Sequence, residues 1–159
     1  MAIKQLKIVP FEDKYLNIVY EIQKKAFLPL FEKYADIETN PYCENKQTIL
    51  TKYTRSDMDG YLFCEGNTFV GCVRIVNKDN VCKVAALAVL PEFQNRGIAQ
   101  HALAEIEQIY PLVKMWKLDT IKQEAGNCHL YEKLGYKRTG VEKYIKDDMT
   151  IIDYVKAIE

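Results

Sequence analysis

Two stretches of this chain carry residues whose types and spacing suit chemistry. The first is LPEFQNRGIAQHAL, Leu90 to Leu103. Its helix opens through Gln94, Asn95, Arg96, Gly97, Ile98, Ala99 and Gln100, where a single Ser or Asp cap would start a helix more cheaply. Such an opening leaves several backbone N–H groups without an assigned partner. Gly97 lets a ligand approach the main chain, and small Ala99 keeps the first turn uncrowded. Free amides and the helix dipole together make a site for a phosphate or pyrophosphate. Neither the Walker ending G-K-[ST] nor G-x-G-x-x-G is present, so the pattern alone also describes an ordinary strand-to-helix turn.

The second stretch is EAGNCHLYEKLGYKRTG, Glu124 to Gly140. Asn127 and Tyr131 are four apart and share a helix face, while Leu130 and Leu134 turn to the core. Two readings of Tyr131 stand side by side: a ring packed on a sheet, or a hydroxyl offered to a reacting atom. Other candidates are weaker. Cys128 and His129 are adjacent, but helical neighbours diverge by about 100°. His101 flanks an apolar stripe and reads as a surface residue. Two histidines and five scattered cysteines give no zinc spacing. Cys64, Cys72 and Cys82 read as small core residues, and Trp116 as packing.

These residues need elements to hold them. Ile3 to Val9 alternates as a strand, and Asp13 to Phe27 carries Leu16, Val19, Tyr20 and Phe27 at helical spacing. A second helix is expected over Glu44 to Tyr53. Tyr61–Glu65, Thr68–Val76 and Val81–Leu90 form a meander divided by Gly66-Asn67 and Lys78-Asp79-Asn80. The third strand, VCKVAALAVL, is nearly all apolar and reads as buried on both faces. A helix over Gly97 to Tyr110, a strand over Leu118 to Ile121 and a helix over Asn127 to Leu134, closed by Gly135, follow. Tyr136–Ile145 and Met149–Val155 end the chain as a hairpin. The order β-α-α-β-β-β-α-β-α-β-β predicts an α+β fold: a mixed, mostly antiparallel sheet of about seven strands flanked by about four helices, in one domain over residues 1–159.

Composition narrows the function. Lys plus Arg and Asp plus Glu each number 22, and no basic block breaks that balance, which argues against nucleic acid as a partner. No apolar run reaches the roughly 18 residues that a membrane span needs. The opening MAIKQLKIVPF lacks a signal-peptide core. An odd cysteine count without C-x-x-C points to reduced thiols and a cytoplasmic setting.

Together, LAVLPEFQNRGIAQHAL and LYEKLGYKRTG resemble the GNAT family of acyl-CoA-dependent N-acetyltransferases, over about Val84 to Gly140. The resemblance implies a sheet that splays after the strand Val81–Leu90, exposing main-chain groups at Leu87, Ala88 and Val89 to the pantetheine arm of acetyl-CoA. It places the pyrophosphate on the amides from Asn95 to Gln100, with Gln94 beside them, and Tyr131 beside the cofactor sulfur. There the hydroxyl stabilises or protonates the departing thiolate. No metal is implied. The family often has Asn where this chain has Glu124, which leaves Asn127 as a candidate for that contact. Many members carry a base on the strand before the turn, whereas Val84 to Val89 offer only Val, Ala and Leu. Water, Tyr34, Asp119, Glu32, Asp36 and Glu38 stay open as proton acceptors. The family builds its acceptor site after the first helix. Here the loop Phe27 to Tyr42 sets Glu32, Tyr34, Asp36 and Glu38 among aromatics, which suits a small cationic amine, or a protein amine. A solvated acidic loop is the competing reading. The expected activity is acetyl transfer from acetyl-CoA to a primary amine, with room for a homodimer. Alternatives are a non-catalytic acyl-CoA-binding or regulatory module and a phosphate-binding interaction domain.

Overall fold

A computed structural model describes residues 5–159. One seven-stranded sheet runs in the order β1-β2-β3-β4-β5-β7-β6. Its strands are β1 (Leu6–Pro10), β2 (Met58–Glu65), β3 (Thr68–Lys78), β4 (Val81–Val89), β5 (Met115–Ile121), β6 (Lys137–Lys146) and β7 (Met149–Ala157). The helices are α1 (Leu16–Tyr34), α2 (Lys46–Tyr53), α3 (Ile98–Ile109) and α4 (Ala125–Lys133). The expected mixed sheet with four helices is present. The first two residues of the expected strand from Ile3 lie outside the described residues.

Every neighbouring pair of strands is antiparallel except β4 and β5. That parallel pair joins at Val81–Lys83 against Met115–Lys117 only. Beyond Lys83, β4 stays with β3 while β5 stays with β7, so the sheet opens into a cleft. The two faces are filled separately. On one, Phe63, Val73, Ile75, Val84, Leu118 and Trp116 pack with Ile98, Ala102 and Ile106 of α3. On the other, Leu62, Cys72 and Ala88 pack with Val19 and Ile22 of α1 and Ile49 and Tyr53 of α2. Cys64, Cys72, Cys82 and Trp116 are buried, as the apolar reading expects.

Several expectations change. The strand VCKVAALAVL is not buried on both faces: Ala85, Ala86 and Leu87 are half-exposed, because β5 leaves before reaching them. The first helix does not stop at Phe27. It runs through Pro29 to Tyr34 and ends at Ala35 in the left-handed conformation, φ 51°. Packing outweighs the proline: Phe31 stacks on Tyr42 at 4.7 Å, and Tyr34 is buried. The second helix is shorter than expected because Asn45 caps it, accepting from the Thr48 N–H at 2.8 Å.

Candidate active site

The cleft between β4 and β5 continues into a cavity of about 740 Å³. One wall is the end of β4. Leu90 N–H donates to the Val70 carbonyl at 2.8 Å, and a β-carbon on Gly71 would stand 2.5 Å from the Ala88 carbonyl oxygen. The main-chain groups of Ala88 and Leu90 therefore point to β3. Strand alternation turns those of Leu87 and Val89 into the cleft. The Val89 carbonyl accepts there from Gln94 Nε2 at 2.9 Å.

A bulge precedes this segment. Arg74 pairs with Ala85 and Cys72 with Ala88, so Ala86 and Leu87 together oppose Val73. Ala86 has φ 49°, a conformation that costs a non-glycine residue on the order of 1 kcal/mol or more. The bulge re-aims the main chain at the cavity wall.

The mouth of α3 is the second wall. Asn95 (φ 61°) and Gly97 (φ 80°) are both left-handed, which bends the chain sharply into the helix. No side chain caps α3, and its first intrahelical bond from this end is His101 N–H to the Gly97 carbonyl at 3.0 Å. The amides of Ile98, Ala99 and Gln100 therefore have no helical acceptor. Gln94, Asn95, Gly97, Ile98, Ala99 and Gln100 all line the cavity. The Arg96 side chain does not. Its guanidinium lies across the Phe93 ring at 5.4 Å and donates to both Glu65 oxygens at 3.2 and 3.3 Å.

The third wall is α4, which brings Asn127, Leu130 and Tyr131 to the cavity. Tyr131 is 9% exposed. Its ring sits 6.1 Å from that of Tyr136 and 6.2 Å from that of Tyr154. Both readings of this residue thus have a footing: the ring packs, while the residue borders the cavity. Burial, with Asp119 and Cys128 nearby, pushes its phenol up to about 12. The hydroxyl is a donor and not a base at any ordinary pH. Gly135 closes the helix at φ 97°. His129 and His101 are exposed, and His101 meets Glu105 at 3.1 Å.

The fourth side is α1 with the segment after it, and here the sequence expectations divide. Glu32 and Glu38 are exposed and border no part of the cavity, so the acidic-loop reading loses both. Glu32 lies on α1 and not in a loop. Asp36 does line the cavity, but its carboxylate accepts from the Glu38 and Thr39 amides and the Thr39 hydroxyl. Tyr34 donates to Glu124 at 2.6 Å. Burial and that carboxylate raise its pKa, so it is no base. Lys33 also donates to Glu124 at 2.6 Å, tying the end of α1 to the start of α4. Burial would raise the Glu124 pKa, but the Lys33 and Tyr34 bonds outweigh it and hold this cavity-lining carboxyl low. Asp119 faces Lys83 at 3.0 Å where the strands part.

Sequence reasoning missed Arg74 of β3, which lines the cavity and is 6% exposed. The signal was there: one charge inside the otherwise apolar run FVGCVRIV.

The profile of the acetyltransferase (GNAT) family matches residues 16–136. The chain belongs to that family, and with it to the N-acetyltransferases. Several solved structures share the fold at low identity. The ribosomal-protein-S18-alanine N-acetyltransferase of Escherichia coli is 16% identical, with a TM-score of 0.79 over 98% of this chain and 95% of that one. The PaiA N-acetyltransferase of Thermoplasma acidophilum, solved with coenzyme A, is 19% identical, with a TM-score of 0.75 over 97% and 99%. The spermidine N-acetyltransferase of Vibrio cholerae, in complex with coenzyme A and spermine, is 14% identical, with a TM-score of 0.76 over 96% and 95%. No curated protein matches by sequence. Among the described residues, no helix is long and apolar enough to cross a membrane.

Proposed function

We propose that this protein transfers an acetyl group from acetyl-CoA to a primary amine by direct attack in a ternary complex. One observation carries the reading: the uncapped amides of α3, the turned main chain of Leu87 and Val89, and Tyr131 all border one cavity. The amides from Asn95 to Gln100 would receive the pyrophosphate, with the α3 dipole favouring negative charge. The pantetheine arm would pair along Leu87–Val89 as an added strand, taking the Val89 carbonyl from Gln94. Asn127 borders the same channel. That two fold neighbours were solved with coenzyme A, one of them with spermine as well, supports this donor and an amine acceptor.

The amine nitrogen attacks the thioester carbonyl, the C–S bond breaks, and coenzyme A departs as a thiolate. Its parent thiol has a pKa of about 8.5, while the Tyr131 phenol stands at about 12. Full proton transfer from phenol to thiolate is therefore uphill, and the hydroxyl acts chiefly by donating a hydrogen bond to the charge that develops on sulfur. The amine proton passes to water in the cavity, since the strand from Val84 to Val89 carries no titratable side chain and the cavity carboxylates of Asp36, Asp119 and Glu124 are already engaged. The free thiols suit a reducing, cytoplasmic setting.

The cationic acceptor expected from Glu32, Asp36 and Glu38 keeps only Asp36 at the cavity, and that carboxylate is already occupied. A thiol-release assay over a panel of primary amines, with mass spectrometry of the product, tests the reading. Amine-dependent release with acetylated product is expected; acetyl-CoA binding without release towards any amine would instead favour the non-catalytic module.

A further inference from the structure

Among the described residues, six charged ones line the cavity: Asp36, Asp119, Glu124, Arg74, Lys83 and Lys143. The three carboxylates are already engaged: Asp36 by its own turn, Asp119 by Lys83, and Glu124 by Lys33 and Tyr34. Arg74 is different. Its guanidinium has five N–H groups, and among the described residues it makes one hydrogen bond, from Nη1 to Glu44 Oε1 at 3.2 Å. Glu44 does not balance it alone, because the same carboxylate also holds Lys52 and accepts from Gln23 at 3.1 Å. Arg74 Nε is buried with no partner among the described residues. Two cations thus share one carboxylate, and one of them is an arginine 94% buried at the edge of the cavity, by 6% exposure.

A buried guanidinium with unused donors is costly unless an anion completes it. Arg74 lies opposite Ala85, one residue before the bulge at Ala86 that turns the main chain to the cavity wall. Lys143 adds a second positive group at the rim. We infer that the acceptor is an amine that also bears a carboxylate, which Arg74 holds by its free Nη2 edge. The planar fork of a guanidinium matches a carboxylate and gives charge-assisted bonds. This rests on the acetyl-transfer reading for the amine, and on Arg74 alone for the carboxylate.

The test uses matched amines that differ only in one group: α- and ω-amino acids against their carboxamides, with spermine as a polycation. Acetyl-CoA binding to the wild-type chain is measured first by calorimetry, and its absence counts against the acetyl-transfer reading separately. Each amine is then titrated into the protein with coenzyme A present. At least one amino acid is expected to bind about tenfold or more tighter than its amide, the scale of a charge-assisted hydrogen bond. Arg74→Gln removes that difference, and Arg74→Lys restores only part of it. Because Arg74→Gln leaves Glu44 with one cation fewer, Arg74→Gln with Glu44→Gln is run beside it to keep the buried charge matched. Acid and amide bound alike, no amino acid bound, or spermine preferred would each overturn the inference.

Discussion

Changing Tyr131 to Phe separates two roles with unusual clarity, because the structure gives each a different magnitude. The ring contacts at 6.1 and 6.2 Å to Tyr136 and Tyr154 survive the substitution. The hydroxyl makes no hydrogen bond to another described residue, so its removal strands no buried partner. Stability should therefore stay within about 0.5 kcal/mol of wild type. Chemistry should suffer far more. A preorganised donor aimed at developing charge is worth about 10²- to 10³-fold, or roughly 3 to 4 kcal/mol of barrier. Because the phenol titrates near 12, this contribution should not fade on the alkaline side until the fold itself is threatened. The assay is single-turnover acetyl transfer at saturating amine, since slow product release can hide a tenfold loss. Loss in the chemical step, with acetyl-CoA affinity and thermal midpoint nearly unchanged, is the expected result. Turnover within about twofold of wild type would be too small for any such donor, and would assign Tyr131 to packing alone.

Other perturbations follow from particular contacts. In Gly71→Ala the new β-carbon would meet the Ala88 carbonyl at 2.5 Å and Phe63 Cδ2 at 2.6 Å; thermal denaturation should report a loss of about 1–3 kcal/mol, and calorimetry weaker acetyl-CoA binding as Ala88 shifts. Glu124 has its pKa lowered in the folded chain, so its contribution is full above the ordinary value of 4.5 and is lost as pH falls through the lower folded value. Glu124→Gln should therefore flatten the acid limb of a stability profile between pH 4.5 and the lower folded value, and an unchanged limb would show that Lys33 and Tyr34 do not stabilise the carboxylate.

Much of this was legible in the sequence where local rules and tertiary packing agree. The uncapped turn from Gln94 to Gln100 was visible because the amides of a helix start depend on local sequence. Asn127 and Tyr131 could be paired because helical spacing is fixed by geometry. The end of α1 was not legible, because LPLFEKYADIETNPYCE, with two prolines and poor periodicity, reads as a break; only contacts distant in sequence, Phe31 with Tyr42 and Tyr34 with Glu124, carry the helix on. The bulge at Ala86 was hidden for a similar reason, since nothing in VAALAV announces a left-handed alanine. Arg74 stood in plain view, but its half-shared partner depends on Glu44, 30 residues away in the chain.

The central claim is that the open amides of α3 hold the phosphate of acetyl-CoA. Ala99→Asp tests it most directly, because helix stability and ligand binding should move in opposite directions. A carboxylate in the first turn complements the helix dipole, so the fold should be no less stable, by up to about 1 kcal/mol in its favour. The same charge faces the cavity that Ala99 lines and should repel a pyrophosphate. Calorimetric titration of acetyl-CoA into wild type and variant is the measurement. Binding to wild type, and loss of affinity by about a hundredfold or more in a variant with an undiminished thermal midpoint, is the expected result. Equal affinity in the two proteins would contradict the account.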